Sequence, residues 1–179
     1  MKNLIKVSTL LALCTSLSFG ATQAEMDEVK AHVEAGVAHC KVVGVAKCVE
    51  EFNQKESKWV KGDMYIFAND FDGVITAHPK KDLKGKNLLE YKDKAGNTLF
   101  ADFIAKVKAD KEGWVDYVWT HPATEKEADK TSFVKGIGEN QLIGCGIYKN
   151  DGTKADDNKT EAPKADENKT EAPKADDKK

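Results

Sequence analysis

Hydrophobic positions recur along this chain with two different periods. Met26, Val29, Val33, Val37 and Cys40 fall at i, i+3, i+7, i+11 and i+14, one stripe of a 3.6-residue repeat, and predict an amphipathic helix over residues 25–43. Gly44 interrupts the pattern, and Val45, Val49 and Phe52 resume it as far as Asn53, a residue suited to a helix end. Two short apolar runs, residues 64–68 and 74–77, flank the turn Asn69-Asp70-Phe71-Asp72-Gly73 and predict a β-hairpin. The second run ends on His78-Pro79, where proline stops the ladder. A polar connection follows over residues 80–93, with Leu83, Leu88, Leu89 and Tyr91 as its apolar anchors. Leu99, Phe103, Ile104 and Val107 then mark the buried face of a second amphipathic helix, ended by Gly113.

The remaining apolar positions alternate. Residues 113–120 place Val115, Tyr117 and Trp119 on one face of a strand, and residues 131–137 place Phe133, Lys135 and Ile137 on one face of another. Residues 141–148 form the last strand, where Gly144 and Gly146 share a face and leave room for a backbone or a ligand. Cys145 between them reads as a buried thiol. Helices first and strands later predict an α+β domain with an antiparallel sheet, and residues 25–150 are enough for one core.

Both ends differ from this middle. Lys2 and Lys6 precede an apolar run over residues 7–19, and Thr22-Gln23-Ala24 follows as a cleavage site, so residues 1–24 read as an export signal and the mature chain as starting at Glu25. The run is too short for the ~20 residues of a membrane span. Leu13 before Cys14 lacks the small side chain that lipid attachment requires. The expected product is periplasmic, with no stable membrane insertion. Residues 151–179 contain KADDNKTEAP followed by KADENKTEAP, a repeat with no large apolar side chain, which predicts a disordered tail. Asn158 and Asn168 each stand in Asn-Lys-Thr with Asp156 or Asp166 two residues before, which looks like the extended acceptor sequence of bacterial periplasmic N-glycosylation.

Charge and chemistry narrow the function. The net charge is -2, without the basic surplus of a nucleic-acid binder. All 28 basic residues are lysines, so any bound anion is held without a guanidinium fork. Cys40 and Cys48 flank Gly44, and eight residues of continuous helix rise about 12 Å, beyond the reach of a disulfide. A bridge therefore forms only if the helix breaks at Gly44; the alternative is two buried free thiols. No carboxylate or cysteine pattern completes a metal site around His32 and His39. No nucleophile–base pair or glycine-rich phosphate loop is apparent, so neither an enzyme nor a cofactor is expected.

Six segments taken in order carry a resemblance: GDMYIFAND, FDGVITAHP, LKGKNLLEYKDKAGN, GWVDYVWTHP, KTSFVKGIG and GCGIY. Together they resemble the single Cache sensor domains (type 2), extracytoplasmic PAS-like ligand-binding modules. The resemblance implies a five-stranded antiparallel sheet packed on a long N-terminal helix. It also implies a pocket on the sheet face, covered by the loop and helix between strands 2 and 3, and a small organic acid such as acetate, propionate, pyruvate or lactate as ligand. Carried onto this chain, the pocket residues are Tyr65, His78, Tyr117, Trp119 and Lys135. Lys135 would supply the charge and the others donors and walls. Most relatives are the outer parts of membrane receptors in chemotaxis and signal transduction. This chain is expected to be a stand-alone periplasmic form that acts through a separate receptor or partner. The alternative is a periplasmic interaction protein with a Cache fold and no ligand, glycosylated on its tail.

Overall fold

The computed structural model describes residues 20–54 and 56–149. The export signal read over residues 1–24 lies mostly outside these residues, and the tail with Asn158 and Asn168 lies wholly outside them. Helix α1 (Gln23–Val43) starts under a capping box in which Thr22 Oγ1 accepts from the Glu25 N–H and Glu25 accepts from the Thr22 N–H. It ends at Gly44, whose φ of 88° and ψ of 149° no helix continues. Helix α2 (Val45–Phe52) sets off in a new direction, which brings the Cα atoms of Cys40 and Cys48 to 5.1 Å, and the two cysteines are bridged. Closing a loop this short contributes about 2.5 kcal/mol in the chain-entropy account.

Among the described residues, seven strands follow. β1 (Val60–Lys61) and β2 (Met64–Tyr65) make a separate small hairpin. β3 (Phe67–Asp70), β4 (Ile75–Ala77), β5 (Glu112–Thr120), β6 (Glu127–Ile137) and β7 (Gln141–Tyr148) form an antiparallel sheet in the order β4-β3-β7-β6-β5. The first apolar run of the expected hairpin is thus divided between two sheets, because the chain turns between Tyr65 and Phe67. Helix α3 (Leu99–Asp110) lies between β4 and β5 in the chain.

The sheet carries a core on each face. On one, Val29, Val33 and Val37 of α1 pack against Ile66, Ala68, Phe133, Ile137, Ile143 and Cys145. The helix comes so close at Gly36 that a Cβ there would stand 3.0 Å from Ile143 Cδ1. On the other, Leu99, Phe100, Phe103, Ile104 and Val107 of α3 pack against Tyr65, Phe67, Tyr117, Trp119, Val134 and Leu142. Strand alternation decides the division: on β7, Leu142 faces α3 while Ile143 and Cys145 face α1. Cys145 is a free, buried thiol, and burial pushes it up to about 12.

Candidate functional site

The second face encloses a small cavity. Tyr65, Phe67, Tyr117 and Trp119 from the sheet, His78 just beyond β4, and Leu99, Phe100 and Phe103 from α3 line it. Its free volume is about 10 Å³, on the order of one water. The aromatic packing explains the tightness. Phe67 stacks on Phe103 with centroids 5.3 Å apart, Phe103 meets Tyr117 edge-on at 5.2 Å, and Trp119 meets Phe100 edge-on at 6.0 Å. Phe67 reaches this position because its partner residue on β7 is Gly144, where a side chain would run into the Phe67 ring.

Polar groups converge on this apolar chamber. The Tyr117 hydroxyl is hydrogen-bonded to Ser132 Oγ at 2.8 Å, and burial raises its phenol well above the usual range. His78 Nδ1 accepts the Lys80 N–H at 3.0 Å, which leaves the ring proton on Nε2. Burial first, and then the Lys130 and Lys80 charges, push His78 down to about 3. The imidazole is therefore neutral at physiological pH and offers an N–H donor. Its ring stands 5.2 Å from that of Tyr65 and 5.9 Å from that of Trp119.

A buried charge, Lys130, stands on the same face of the sheet, outside the cavity lining. This lysine is 0% exposed, and its ammonium has no hydrogen-bond acceptor. Nζ lies 4.1 Å from the centroid of the Tyr65 ring and 4.6 Å from that of Tyr148. Two phenol faces thus hold the cation by cation–π attraction, and the Tyr65 ring in turn lines the cavity. The lysine fits because its diagonal neighbour on β7 is a glycine: a Cβ on Gly146, which pairs with Ser132, would stand 3.0 Å from Lys130 Cε. Tyr148 is itself anchored, its hydroxyl donating to the Thr120 carbonyl at 2.9 Å, and burial raises its phenol.

Four of the five pocket residues named from the sequence, Tyr65, His78, Tyr117 and Trp119, stand together around the cavity. Lys135 does not, which corrects the expectation that it supplies the charge. It shares the α1 face with Phe133 and Ile137, pairs with Glu112, and lies 3.9 Å from Glu34 of α1. Between those two buried side chains it reaches into a surface ion-pair cluster, which also holds Lys30, 3.7 Å from Glu112. β6 begins at Glu127, four residues before the expected strand, and the missed lysine lies in that extension. Running the alternation back from Val134 through Ser132 reaches Lys130 on the pocket face. Among the described residues, no group of three or more His, Cys, Asp and Glu is placed to hold a metal ion. His32 bonds the Trp59 carbonyl at 3.2 Å, and His39 meets Glu51 at 2.6 Å.

His78 carries a pH signature. Between its ordinary value of 6.5 and about 3, the unfolded chain takes up a proton that the folded chain refuses. Stability is therefore expected to fall on acidification from pH 6.5 to 5, by at most about 1.4 kcal/mol per pH unit from this residue. His32, also lowered mainly by burial, adds in the same direction. Urea unfolding at stepped pH should show a shallower slope in His78→Gln than in the native chain, and equal slopes would contradict the buried neutral imidazole.

A family model described as a Cache domain matches residues 48–161. A methyl-accepting chemotaxis protein of Pseudomonas putida is 28% identical over 91 residues, which are 50% of this chain and 17% of that protein. The chain thus spans only about a sixth of the length of that curated relative. The crystal structure of a methyl-accepting chemotaxis protein from Vibrio parahaemolyticus superposes with a TM-score of 0.61 at 30% identity, over 72% of this chain and 90% of that one. A Cache chemosensory domain described for carboxylic acid recognition shares the fold with a TM-score of 0.59 at 23% identity, over 70% of this chain and 94% of that one.

Proposed function

The chain belongs to the Cache domain family, and from that premise we propose that it is a periplasmic sensor that takes a short organic acid between the sheet and α3. Cache domains of chemoreceptors are extracytoplasmic sensor domains. The observation that carries the ligand class is Lys130. A buried ammonium without an acceptor is costly, and an anion is the group that would compensate it. The His78 Nε2–H and the Tyr65 and Tyr117 hydroxyls supply neutral donors around an apolar wall, which must open to take more than a water-sized group. The Tyr65 ring lies between the cavity and Lys130, so the carboxylate reaches the ammonium when that ring turns aside. With a point charge and neutral donors rather than a bidentate fork, affinity is modest. The carboxylic-acid-recognising Cache domain of the same fold supports this reading. The bound state acts on a separate receptor or partner, as the kinship to chemoreceptors suggests.

One observation favours a second reading. The cavity of about 10 Å³ is nearly filled by side chains, as it would be in an interaction protein that keeps the fold, binds no ligand and makes its contacts through a glycosylated tail. A thermal-shift screen with acetate, propionate, lactate, pyruvate, amino acids and simple amides separates the two. Ligand at about a hundred times its Kd stabilises by about 2.7 kcal/mol, a shift of several degrees. A shift with the short acids supports the sensor. No shift across the panel overturns it in favour of the filled-pocket protein.

A further inference from the structure

A cavity this small admits a short acid only if a wall moves. Residues 78–98 run from the end of β4 to the start of α3 and join two lining residues, His78 and Leu99, as a strap with two feet. The first foot is firmly built. The Ile75 N–H donates to the Lys86 carbonyl at 2.9 Å, the Gly85 N–H to the Ile75 carbonyl at 2.8 Å, and the Leu88 N–H to the Gly73 carbonyl at 2.9 Å. Between the feet, Tyr91 packs on two lining residues, its ring 5.9 Å from that of Trp119 and 6.3 Å from that of Phe100, and it remains 39% exposed.

The second foot rests on one side chain. Asp93 Oδ2 accepts the Val118 N–H at 2.8 Å and the Asn97 Nδ2–H at 3.0 Å, while Oδ1 accepts the Asn97 N–H at 2.8 Å. Val118 lies on β5, the edge strand of the sheet, and its N–H is bound by the carboxylate rather than by a further strand. Burial pushes the Asp93 carboxyl up, but the N–H donors of Val118, Asn97 and Ala95 outweigh it and hold the group below its ordinary value. Among the described residues, the one ion pair from this end of the strap to the sheet is Lys94 to Glu127, 3.9 Å apart with the lysine exposed, and such a pair contributes little.

We propose that Asp93 is a positioning residue, the clasp that fastens the strap to the Val118 edge of β5 and thereby sets how fast ligand enters and leaves the pocket. This rests on the ligand reading above for its kinetic consequence, though the clasp itself can be observed without a ligand. Because the clasp closes the empty and the occupied pocket alike, its loss lowers the barrier in both directions. In the mature full chain, Asp93→Ala should raise both kon and koff for acetate, propionate, lactate or pyruvate by about tenfold, the factor carried by one hydrogen bond to a charged group, with Kd changed by less than about threefold. Asp93→Asn, which keeps an acceptor oxygen, should fall between the two. Amide hydrogen exchange should accelerate at Val118 and through residues 86–98, while Val134 and Ile143 stay protected. A rise in koff alone, or unchanged rates together with faster exchange at Val118, overturns the proposal. If the native chain binds none of the four acids, the ligand reading fails, and exchange decides the clasp. Acceleration confined to the strap and Val118 supports it, and acceleration spread through α1 and β7 overturns it.

Discussion

Lys130→Met is expected to abolish measurable carboxylate binding while leaving the free protein as stable as before, or more so. The two effects have different origins. Methionine fills nearly the same volume with no charge, so the change removes the desolvation penalty of a buried ammonium, several kcal/mol, together with two cation–π contacts of about 2 kcal/mol each at most. These nearly cancel, and unfolding free energy should hold or rise by up to about 2 kcal/mol. Binding has no such compensation. Removing one partner of a buried charge pair costs about 2–5 kcal/mol, so affinity for a short acid should drop at least about 30-fold. Lys135→Met is the matched control. That lysine belongs to a half-exposed ion-pair cluster on the opposite face, and its loss should cost less than about 1 kcal/mol and leave binding intact. Urea unfolding and calorimetric titration of the two variants measure both halves. A Lys130→Met protein that binds normally would remove the lysine from the site.

Gly146→Ala should be among the most destabilising single methyl additions in the domain. A Cβ at this position would meet Ser132 Oγ and the Thr131 carbonyl oxygen well inside contact distance, with Lys130 Cε at 3.0 Å. The Thr131 oxygen belongs to the neighbouring strand, so no change of rotamer relieves the overlap, and the β6–β7 ladder must open. The expected loss is about 3 kcal/mol, at the upper end for overpacking, or roughly 10 °C in Tm for a domain of this size. Adding Ser132→Ala removes one of the two overlaps and should recover part of the loss but not all of it. Full recovery would show that the backbone contact is softer than the geometry implies.

Much of this architecture can be read from hydrophobic spacing alone. The α1 stripe from Val29 to Cys40 and the alternation of Tyr117 with Trp119 are local signals, and the fold obeys them. Gly44 marks the helix break because a positive φ has few other carriers. The charge of the pocket was less legible, for a physical reason. A lysine at a strand start resembles a solvated edge residue, and only pairing with Tyr148 and Gly146 on β7 shows that Lys130 is buried between phenol rings. Lys135 stands out in the sequence between Phe133 and Ile137, yet alternation alone cannot tell which face of a two-sided sheet holds the ligand. Asp93 gave no signal, because Asp-Lys-Ala-Gly-Asn reads as an ordinary turn until its carboxylate is seen to cap Val118 on the edge strand.

The central claim, a carboxylate held by Lys130 beside a neutral His78, is tested most directly by heteronuclear NMR of the lysine side chains and the histidine rings. Acetate and propionate would be titrated to about 10 mM, tenfold above a millimolar Kd. The Lys130 ammonium and the His78 ring should shift together along one saturable curve, while Lys135 does not move. Saturable binding that leaves Lys130 unmoved, or that moves Lys135 in its place, would contradict the account.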